Sequence, residues 1–331
     1  MKLVFVHFGS KIPKHLLLNM DRTSKLFPKY EIILLTDQLK NLPVGNFVVK
    51  NNISQEDFDI VKNNLNHPIE FRNGFWFTTF VRLKAIAYLA EELGESILHI
   101  ESDVILSPDF PMNEFIDLQT VVAFPLVSPG QAVASIFYIG DSEVAREFSE
   151  FLDTEIFRNP QTSDMRALDA FRLHSPTAVD ILPTGPDLAS VYQQTFPRNL
   201  LKATGVQLDR FRGIFDAIDI GFYLFGQDPR NTKGFRELRS IDSSSYLKIK
   251  SLNFKYNPER KFIDVVIDSL HLPVYSLHVH SKDLRIFKLR KFQKIALRRV
   301  KYQSSPETRE FIPSVFLGLL VKFIAKKLKT I

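Results

Sequence analysis

Two acidic residues one position apart, Glu101 and Asp103, are the side chains of this chain best suited to bind a metal ion. They follow three apolar residues, Ile97, Leu98 and Ile100, as expected at the end of a β-strand that is covered on both faces. In extended geometry, residues two positions apart point the same way. Carboxylate oxygens are hard ligands, and two of them at a strand end can hold Mg²⁺ or Mn²⁺.

The surroundings of these acids restrict how their charge is balanced. Apolar residues resume at Val104–Leu106, so the acids interrupt a core segment. Burying a carboxylate alone is costly, and a metal ion or a basic side chain from elsewhere would offset that cost. Arg82, near the start of a predicted helix, either contacts a phosphate or pairs with Glu101 or Asp103. The alternative is a strand end with two solvated acids.

A second group of candidate ligands lies near the other end of the chain. Residues 274–280 alternate cleanly between polar and apolar types, which predicts a strand with His278 and His280 on one face. Lys282 follows in the exit loop. Two imidazoles on one strand face, followed by an ammonium group, are candidates for metal and phosphate contacts.

The predicted elements around these residues alternate between strands and helices. Residues 2–8 predict a first strand and residues 31–36 a second, with a helix over residues 15–26 between them. Another helix is predicted over residues 78–93, where Gly94 supplies the stop. This alternation favours an α/β fold with a doubly wound, mostly parallel sheet flanked by helices.

Four further residues stand where they would face a ligand in such a fold. Ligands of open α/β sheets bind at the carboxyl ends of the strands, and His7 and Gly9 stand at the end of the first strand. Asp164 precedes a predicted helix. Its side chain either caps that helix or faces an acceptor. Asp219 is one of two acids within an apolar stretch.

Composition excludes several classes of protein. The 331 residues are 45% hydrophobic, enough for one large α/β domain or one domain with appendages. The chain contains no cysteine, which rules out disulfides, thiolate metal sites and cysteine nucleophiles, and suits a reducing cytoplasm. The apolar start, residues 1–9, is too short for a signal peptide. The sequence has no phosphate-binding Gly-Lys-Ser/Thr loop, dinucleotide fingerprint or nucleophile elbow.

The net charge of +6 is distributed unevenly along the chain. Residues 282–331 contain 14 Lys and Arg against 3 Asp and Glu, so this end carries +11 and the remainder −5. Basic amphipathic helices are predicted over residues 284–301 and 315–329. We therefore expect a main domain, 1–282, and a tail, 283–331, that binds an anionic membrane surface. The alternative is a helix packed on the body. Nucleic acid is not an expected partner, since the acidic body would repel it.

Three segments of the main domain resemble bacterial glycosyltransferases of the GT-A fold. The helix that carries Arg82 and the following residues 98–103 resemble the family's block of an arginine, a hydrophobic strand and an Asp-x-Asp motif. Residues 215–233 are similar to a segment of uncharacterised bacterial members, and residues 277–282 resemble the family's closing His-plus-Lys motif. The chain departs from the pattern at Glu101, which stands where the family usually has Asp.

The resemblance implies a nucleotide-sugar donor, of the UDP-sugar type, bound at the strand ends of a catalytic domain. Mn²⁺ or Mg²⁺ would be held by Asp103, by Glu101 and by either His278 or His280, and the sequence leaves the choice of histidine open. Glu101 is longer than Asp, so it contacts either the metal or, instead of the metal, the ribose or water. The residues implied for donor binding are His7, Gly9, Arg82, Glu101 and Lys282.

On the acceptor side, Asp164 and Asp219 are the candidate catalytic residues, because a carboxylate can face developing positive charge or activate a hydroxyl. The implied function is sugar transfer to a glycan or lipid-linked acceptor in cell-surface polysaccharide synthesis. The protein would lie on the cytoplasmic face of the cell membrane, attached peripherally by its tail. Two alternatives use the same residues: a sugar-phosphate transferase with this metal site, and a non-catalytic, membrane-bound nucleotide-sugar-binding protein.

Overall fold

A computed structural model of the chain describes residues 1–9, 11–37, 45–51, 55–68, 71, 74–118, 121–128, 130–185, 208–226, 249, 252–267 and 270–303. The strands in these ranges are β1 (Lys2–His7), β2 (Ile32–Thr36), β3 (Val48–Lys50), β4 (Ile97–Ile100), β5 (Val104–Leu106), β6 (Val122–Ser128), β7 (Gln131–Ala132), β8 (Ile136–Ile139), β9 (Val179–Leu182), β10 (Ile214–Phe215), β11 (Asn253–Asn257), β12 (Phe262–Ile267) and β13 (Leu270–His278). The helices are α1 (Lys14–Leu26), α2 (Gln55–Asn64), α3 (Phe75–Leu93), α4 (Met112–Ile116), α5 (Ser142–Arg158), α6 (Asp164–His174), α7 (Leu208–Phe211), α8 (Asp219–Phe225) and α9 (Leu289–Gln303), with a 3-10 turn at Pro176–Ala178.

The larger sheet has the strand order β3-β2-β1-β4-β8-β6-β7, and β9 also pairs with β6. Strands β3, β2, β1 and β4 pair in parallel, as do β6 and β9, whereas β8 runs antiparallel to β4 and β6. Parallel neighbours need crossover connections, and α1 supplies the one between β1 and β2. The apolar strands β2 and β4 are buried throughout, as strands covered on both faces must be. This confirms the predicted α/β fold class, with a mostly parallel central sheet flanked by helices.

The apolar segment around the two acids is divided between two sheets. β4 belongs to the larger sheet, whereas β5 pairs antiparallel with β13 in a smaller sheet of order β10-β13-β12-β11. Glu101 and Asp103 therefore lie in the connection between the sheets. Because β13 ends at His278, its pairing with β5 brings a distant part of the chain to the same connection.

Helix α3 carries Arg82 and is fixed by a buried ion pair. The helix begins at Phe75, earlier than predicted, and Gly94 follows its last residue as predicted. The buried ammonium group of Lys84 lies 3.0 Å from Asp57 in α2 and also pairs with Asp153 in α5. These contacts join three helices, so they fix the position of α3 relative to α2 and α5.

Helix α9 lies in the described part of the predicted tail, residues 283–303, and it begins at Leu289. Its apolar residues Phe292, Ala296 and Val300 are buried in the core of the smaller sheet. The exposed basic residues of α9 include Arg290, Lys291, Lys294, Arg298 and Lys301. The second predicted tail helix, 315–329, lies outside the described residues. Within the described ranges, no helix is both long and apolar enough to cross a bilayer.

Candidate active site

The connection between β4 and β5 is held against the end of β13. The amide of Val279 donates to the carbonyl of Asp103 at 2.7 Å, and His278 is opposite Val104 in the antiparallel ladder. An antiparallel partner at this position places the His278 side chain beside the acid-bearing connection. Sheet pairing therefore brings the two predicted ligand groups together.

Glu101, Asp103 and His278 form a compact group, which we call the carboxylate–imidazole cluster. Nε2 of His278 lies 3.5 Å from Oε2 of Glu101 and 3.4 Å from Oδ1 of Asp103. One ligand atom from each of the three residues lies within 4.8 Å of the other two. Nζ of Lys282 lies 3.4 Å from Oδ2 of Asp103, so the predicted lysine borders the same cluster.

His280 lies behind His278 in this arrangement. The two rings are stacked with centroids 4.0 Å apart, and the His280 ring also contacts Phe222 edge-on at 5.9 Å. Nε2 of His280 is buried and, among the described residues, has no hydrogen-bond partner. Of the two histidines between which the sequence left the choice open, the structure brings His278 to the carboxylates.

Arg82 joins the cluster to Asp164. Its guanidinium donates to Glu101 through Nη1 and to Oδ2 of Asp164 through Nη2, the second contact measuring 3.0 Å. All three side chains are at least 85% buried. Of the alternatives for Arg82, the structure therefore shows pairing with an acid, and it adds Asp164 as a second partner.

Charge neutralisation accounts for the pKa values in the cluster. Burial alone would raise the pKa of Glu101, but Arg82 and His278 outweigh it and lower that pKa. Burial acts the same way on Asp103, yet His278 and Lys282 hold its pKa well below the usual range. Burial would lower the pKa of His278, but Asp103 and Glu101 raise it to about 9. At neutral pH, two carboxylates thus face three cations.

Asn19 on helix α1 is a supporting residue that sequence reasoning missed. Its side-chain amide donates to the carbonyl of Ser102 at 3.3 Å and to that of Val104 at 2.6 Å, and so it holds the connection that carries the acids. A signal was present in the sequence. Asn19 stands between Leu16 and Met20 on the buried stripe of the helix, where a polar residue needs a specific partner.

His7 and Gly9 lie at the carboxyl end of β1, beside β4 in the parallel ladder. Nε2 of His7 donates to the carbonyl of Lys11 at 3.0 Å. The amide of Gly9 donates to Asp37 at 2.9 Å, and its φ of +120° is one that side-chain-bearing residues rarely adopt. The loop after β1 is therefore shaped by Asp37, a residue that the sequence analysis did not single out.

The two acids predicted for the acceptor side, Asp164 and Asp219, lie at the starts of two different helices. Asp164 is the first residue of α6, but the cap is Ser163, whose hydroxyl accepts from the amide of Arg166 at 3.4 Å. Asp164 contacts Arg82 instead, and burial raises its pKa although Arg82 opposes that shift. Asp219 is buried at the start of α8 and does not belong to the carboxylate–imidazole cluster.

The chemistry of the cluster fits a divalent cation. Two carboxylates and one imidazole are a donor set that suits Mn²⁺, and the carboxylates also suit Mg²⁺. Nδ1 of His278 lies 2.9 Å from the carbonyl of Ala217. A carbonyl can only accept, so Nδ1 carries a proton and Nε2 is the ring atom available to a metal. Glu101, Asp103 and His278 are thus the residues that would hold it.

No model of a known protein family matches the sequence, and no curated protein matches it. Among solved structures, the chain is similar to the galactosyltransferase LgtC in complex with donor and acceptor sugar analogues, at 16% identity and a TM-score of 0.42, covering 62% of this chain and 84% of LgtC. It is similar to apo mouse xyloside xylosyltransferase 1 at 9% identity and a TM-score of 0.40, covering 62% and 93% of the two chains. A third structure is a glycosyltransferase involved in glycosylation of the major capsid of PBCV-1, at 13% identity and a TM-score of 0.33, covering 63% and 98%.

Proposed function

We propose that this protein is a metal-dependent glycosyltransferase that moves a sugar from a nucleotide-sugar donor, of the UDP-sugar type, to a glycan or lipid-linked acceptor. One observation carries the proposal: three potential metal ligands, two from the connection between β4 and β5 and one from the end of β13, lie within 4.8 Å of one another. They also lie at the carboxyl end of a parallel strand, where open α/β sheets bind ligands. Polysaccharide synthesis at the cell surface is the process that we propose for it.

The basic residues at the site suit a donor that leaves as a diphosphate. A divalent cation, when bound, supplies positive charge to the departing phosphate groups. Lys282 is more exposed than the cluster that it borders, and we propose that its ammonium group contacts a phosphate oxygen of the donor. Arg82 is engaged by two carboxylates, and we propose that it mainly holds Glu101 in place. His7 and Gly9 remain our proposed donor contacts in the loop after β1.

Asp164 is the better placed of the two acceptor-side candidates. It shares Arg82 as an ion-pair partner with Glu101, one of the three proposed metal ligands. We propose that it orients the acceptor hydroxyl or faces the positive charge that develops on the sugar. Asp219, which is not one of the three residues of the cluster, is retained as a second candidate.

The test is a transfer and hydrolysis assay with Mn²⁺ or Mg²⁺ across a panel of nucleotide sugars. Sugar in the product without its phosphate supports the proposal. Phosphate in the acceptor linkage would instead establish a sugar-phosphate transferase. Metal-dependent nucleotide binding without turnover of any donor would point to a binding protein.

Metal binding is expected to release about one proton from the protein at neutral pH. His278, with a pKa of about 9, is protonated there, whereas a metal needs the lone pair on Nε2. The acids have lowered pKa values and are already ionised, so they release none. Mn²⁺ affinity should therefore rise roughly tenfold per pH unit up to about pH 9. Titration calorimetry in buffers of different ionisation enthalpy measures the proton count, and a count of zero would contradict this assignment of His278.

We further propose that the tail attaches the protein peripherally to the cytoplasmic face of the cell membrane. Support comes from the exposed basic side of α9, because each basic residue near an anionic bilayer contributes about 1 kcal/mol. Replacing Lys291, Lys294 and Arg298 together by Gln should weaken binding to anionic liposomes by about 100-fold.

Deletion of residues 311–331 should release the protein from those liposomes altogether in a sedimentation assay. The matched control is Lys62→Gln, an exposed basic residue on α2, which should bind like the unaltered chain. Undiminished binding of both the triple variant and the truncated chain would refute the membrane proposal.

A further inference from the structure

The backbone amide of His278 donates a hydrogen bond to the carboxylate of Asp216, a buried acid that the proposed mechanism does not use. Oδ2 of Asp216 accepts from the amide of His278 at 2.9 Å and from that of Gly221 at 2.6 Å. Oδ1 accepts from the amide of Ile220 at 2.9 Å. Only 1% of the Asp216 surface is exposed, and three backbone donors satisfy its carboxylate. One side chain therefore ties the end of β13 to the start of α8.

The ring of His278 is held by the same segment of chain. The carbonyl of Ala217, the residue after Asp216, accepts from Nδ1 at 2.9 Å. This contact sets the tautomer and turns Nε2 towards Glu101 and Asp103. The backbone and the ring of His278 are thus both fixed by residues 216–217.

Gly221 allows this close approach of α8 to β13. A Cβ atom at this position would lie 2.1 Å from the carbonyl oxygen of His278, 2.7 Å from its carbonyl carbon and 2.8 Å from Oδ2 of Asp216. Two of these atoms belong to the backbone, so a flexible side chain cannot relieve the overlap. Any larger residue would push the start of α8 and the end of β13 apart.

We infer that Asp216 and Gly221 are positioning residues, which set the distance and orientation of His278 relative to Glu101 and Asp103. This inference rests on the proposed metal site. Residues that orient a metal-binding histidine typically contribute 10- to 100-fold in metal affinity. The competing explanation is that Asp216 only caps helix α8 and Gly221 only permits packing.

Gly221→Ala separates these explanations, because Ala is favoured over Gly in a helix when no clash occurs. If His278 is displaced, Mn²⁺ affinity should fall about 10- to 100-fold, measured by calorimetry or by the electron paramagnetic resonance signal of free Mn²⁺. The matched control is Gly213→Ala, whose Cβ would lie 2.4 Å from the ring of Tyr275 and 2.8 Å from the carbonyl oxygen of Pro273. That variant presses on the same strand away from His278, so it should lower the melting temperature and leave Mn²⁺ affinity unchanged.

Asp216→Asn provides a second test, in a double-mutant cycle with His278→Ala. With His278 present, we expect Asp216→Asn to weaken Mn²⁺ binding at least about tenfold. In the His278→Ala background, the same change should leave the residual affinity unaltered, because the group through which Asp216 acts is gone. Equal losses in both backgrounds would show a general structural role and overturn the inference.

The possible failures are distinguishable. If the unaltered protein binds no Mn²⁺ or Mg²⁺, the proposed metal site is wrong. If it binds the metal and both Gly221→Ala and Asp216→Asn match it in affinity, the metal site stands and the positioning inference is overturned. Circular dichroism of each variant identifies a folding failure. If Gly221→Ala does not fold, Asp216→Asn tests the inference, and if Asp216→Asn does not fold, Gly221→Ala tests it.

Discussion

Asp103→Asn is expected to reduce sugar transfer by about 1,000-fold while leaving the protein folded. The variant keeps the shape of the side chain and removes its charge. A metal ion contributes several kcal/mol to a transition state, and a loss of about 4 kcal/mol corresponds to this factor. Asp103 lies 3.4 Å from both Nε2 of His278 and Nζ of Lys282, so the same change also removes the anion that these two cations share.

The measurement is the rate of transfer from a UDP-sugar at saturating Mn²⁺, together with Mn²⁺ affinity. Glu101→Gln should lose less metal affinity than Asp103→Asn, because one oxygen of Glu101 is already engaged by Arg82. The matched control is Asp21→Asn, an exposed acid on α1 that pairs with Lys25. Full activity of Asp103→Asn would show that the metal-ligand assignment is wrong.

Arg82→Ala is expected to lower the free energy of unfolding by about 3 kcal/mol and to abolish transfer. The change leaves Glu101 and Asp164 largely buried without their shared cation, and breaking such a pair typically costs 3–5 kcal/mol. Arg82→Lys keeps the charge but cannot donate in the same forked geometry, so we expect it to recover only part of the loss. Urea denaturation measures the stability, and the transfer assay measures the function.

A triple variant separates stability from function at this position. Arg82→Met combined with Glu101→Gln and Asp164→Asn removes all three charges together, and neutral replacements of a buried ion network are often as stable as the original. We expect stability to return and transfer to stay absent. The control Arg146→Ala removes an exposed arginine paired with Glu91 and should change neither quantity. If Arg82→Ala unfolds like the unaltered protein, the ion network has no structural role.

The relation between helix α3 and its sequence shows how far local reasoning reaches. Its apolar spacing and Gly94 predicted the helix and its end, because both depend on residues within a few turns of each other. Its start, at Phe75, was missed. The partners of Arg82 were missed in part, since Asp164 comes from a helix that is distant in the chain.

The division of the acid-bearing segment between two sheets could not be predicted for a related reason. Both β4 and β5 are short apolar runs, and the residues of neither run indicate which strand it will pair with. Pairing of β5 with β13 is decided by how the smaller sheet packs. The roles of Asn19 and Asp216 follow from that packing, because each contacts backbone groups from another element.

The prediction that His278 and His280 share one strand face was wrong for His280, because β13 ends at His278. The sequence by itself determined the α/β class, the pair Glu101 and Asp103 at a strand end, and the strand that ends at His278. Each of these is a periodic pattern within about ten residues, and such patterns follow from the geometry of single elements. Only the tertiary structure decided that His278 meets the acids, that His280 stacks behind it, and that Arg82 bridges two carboxylates. These facts depend on the register between strands and on burial, which no short stretch of sequence encodes.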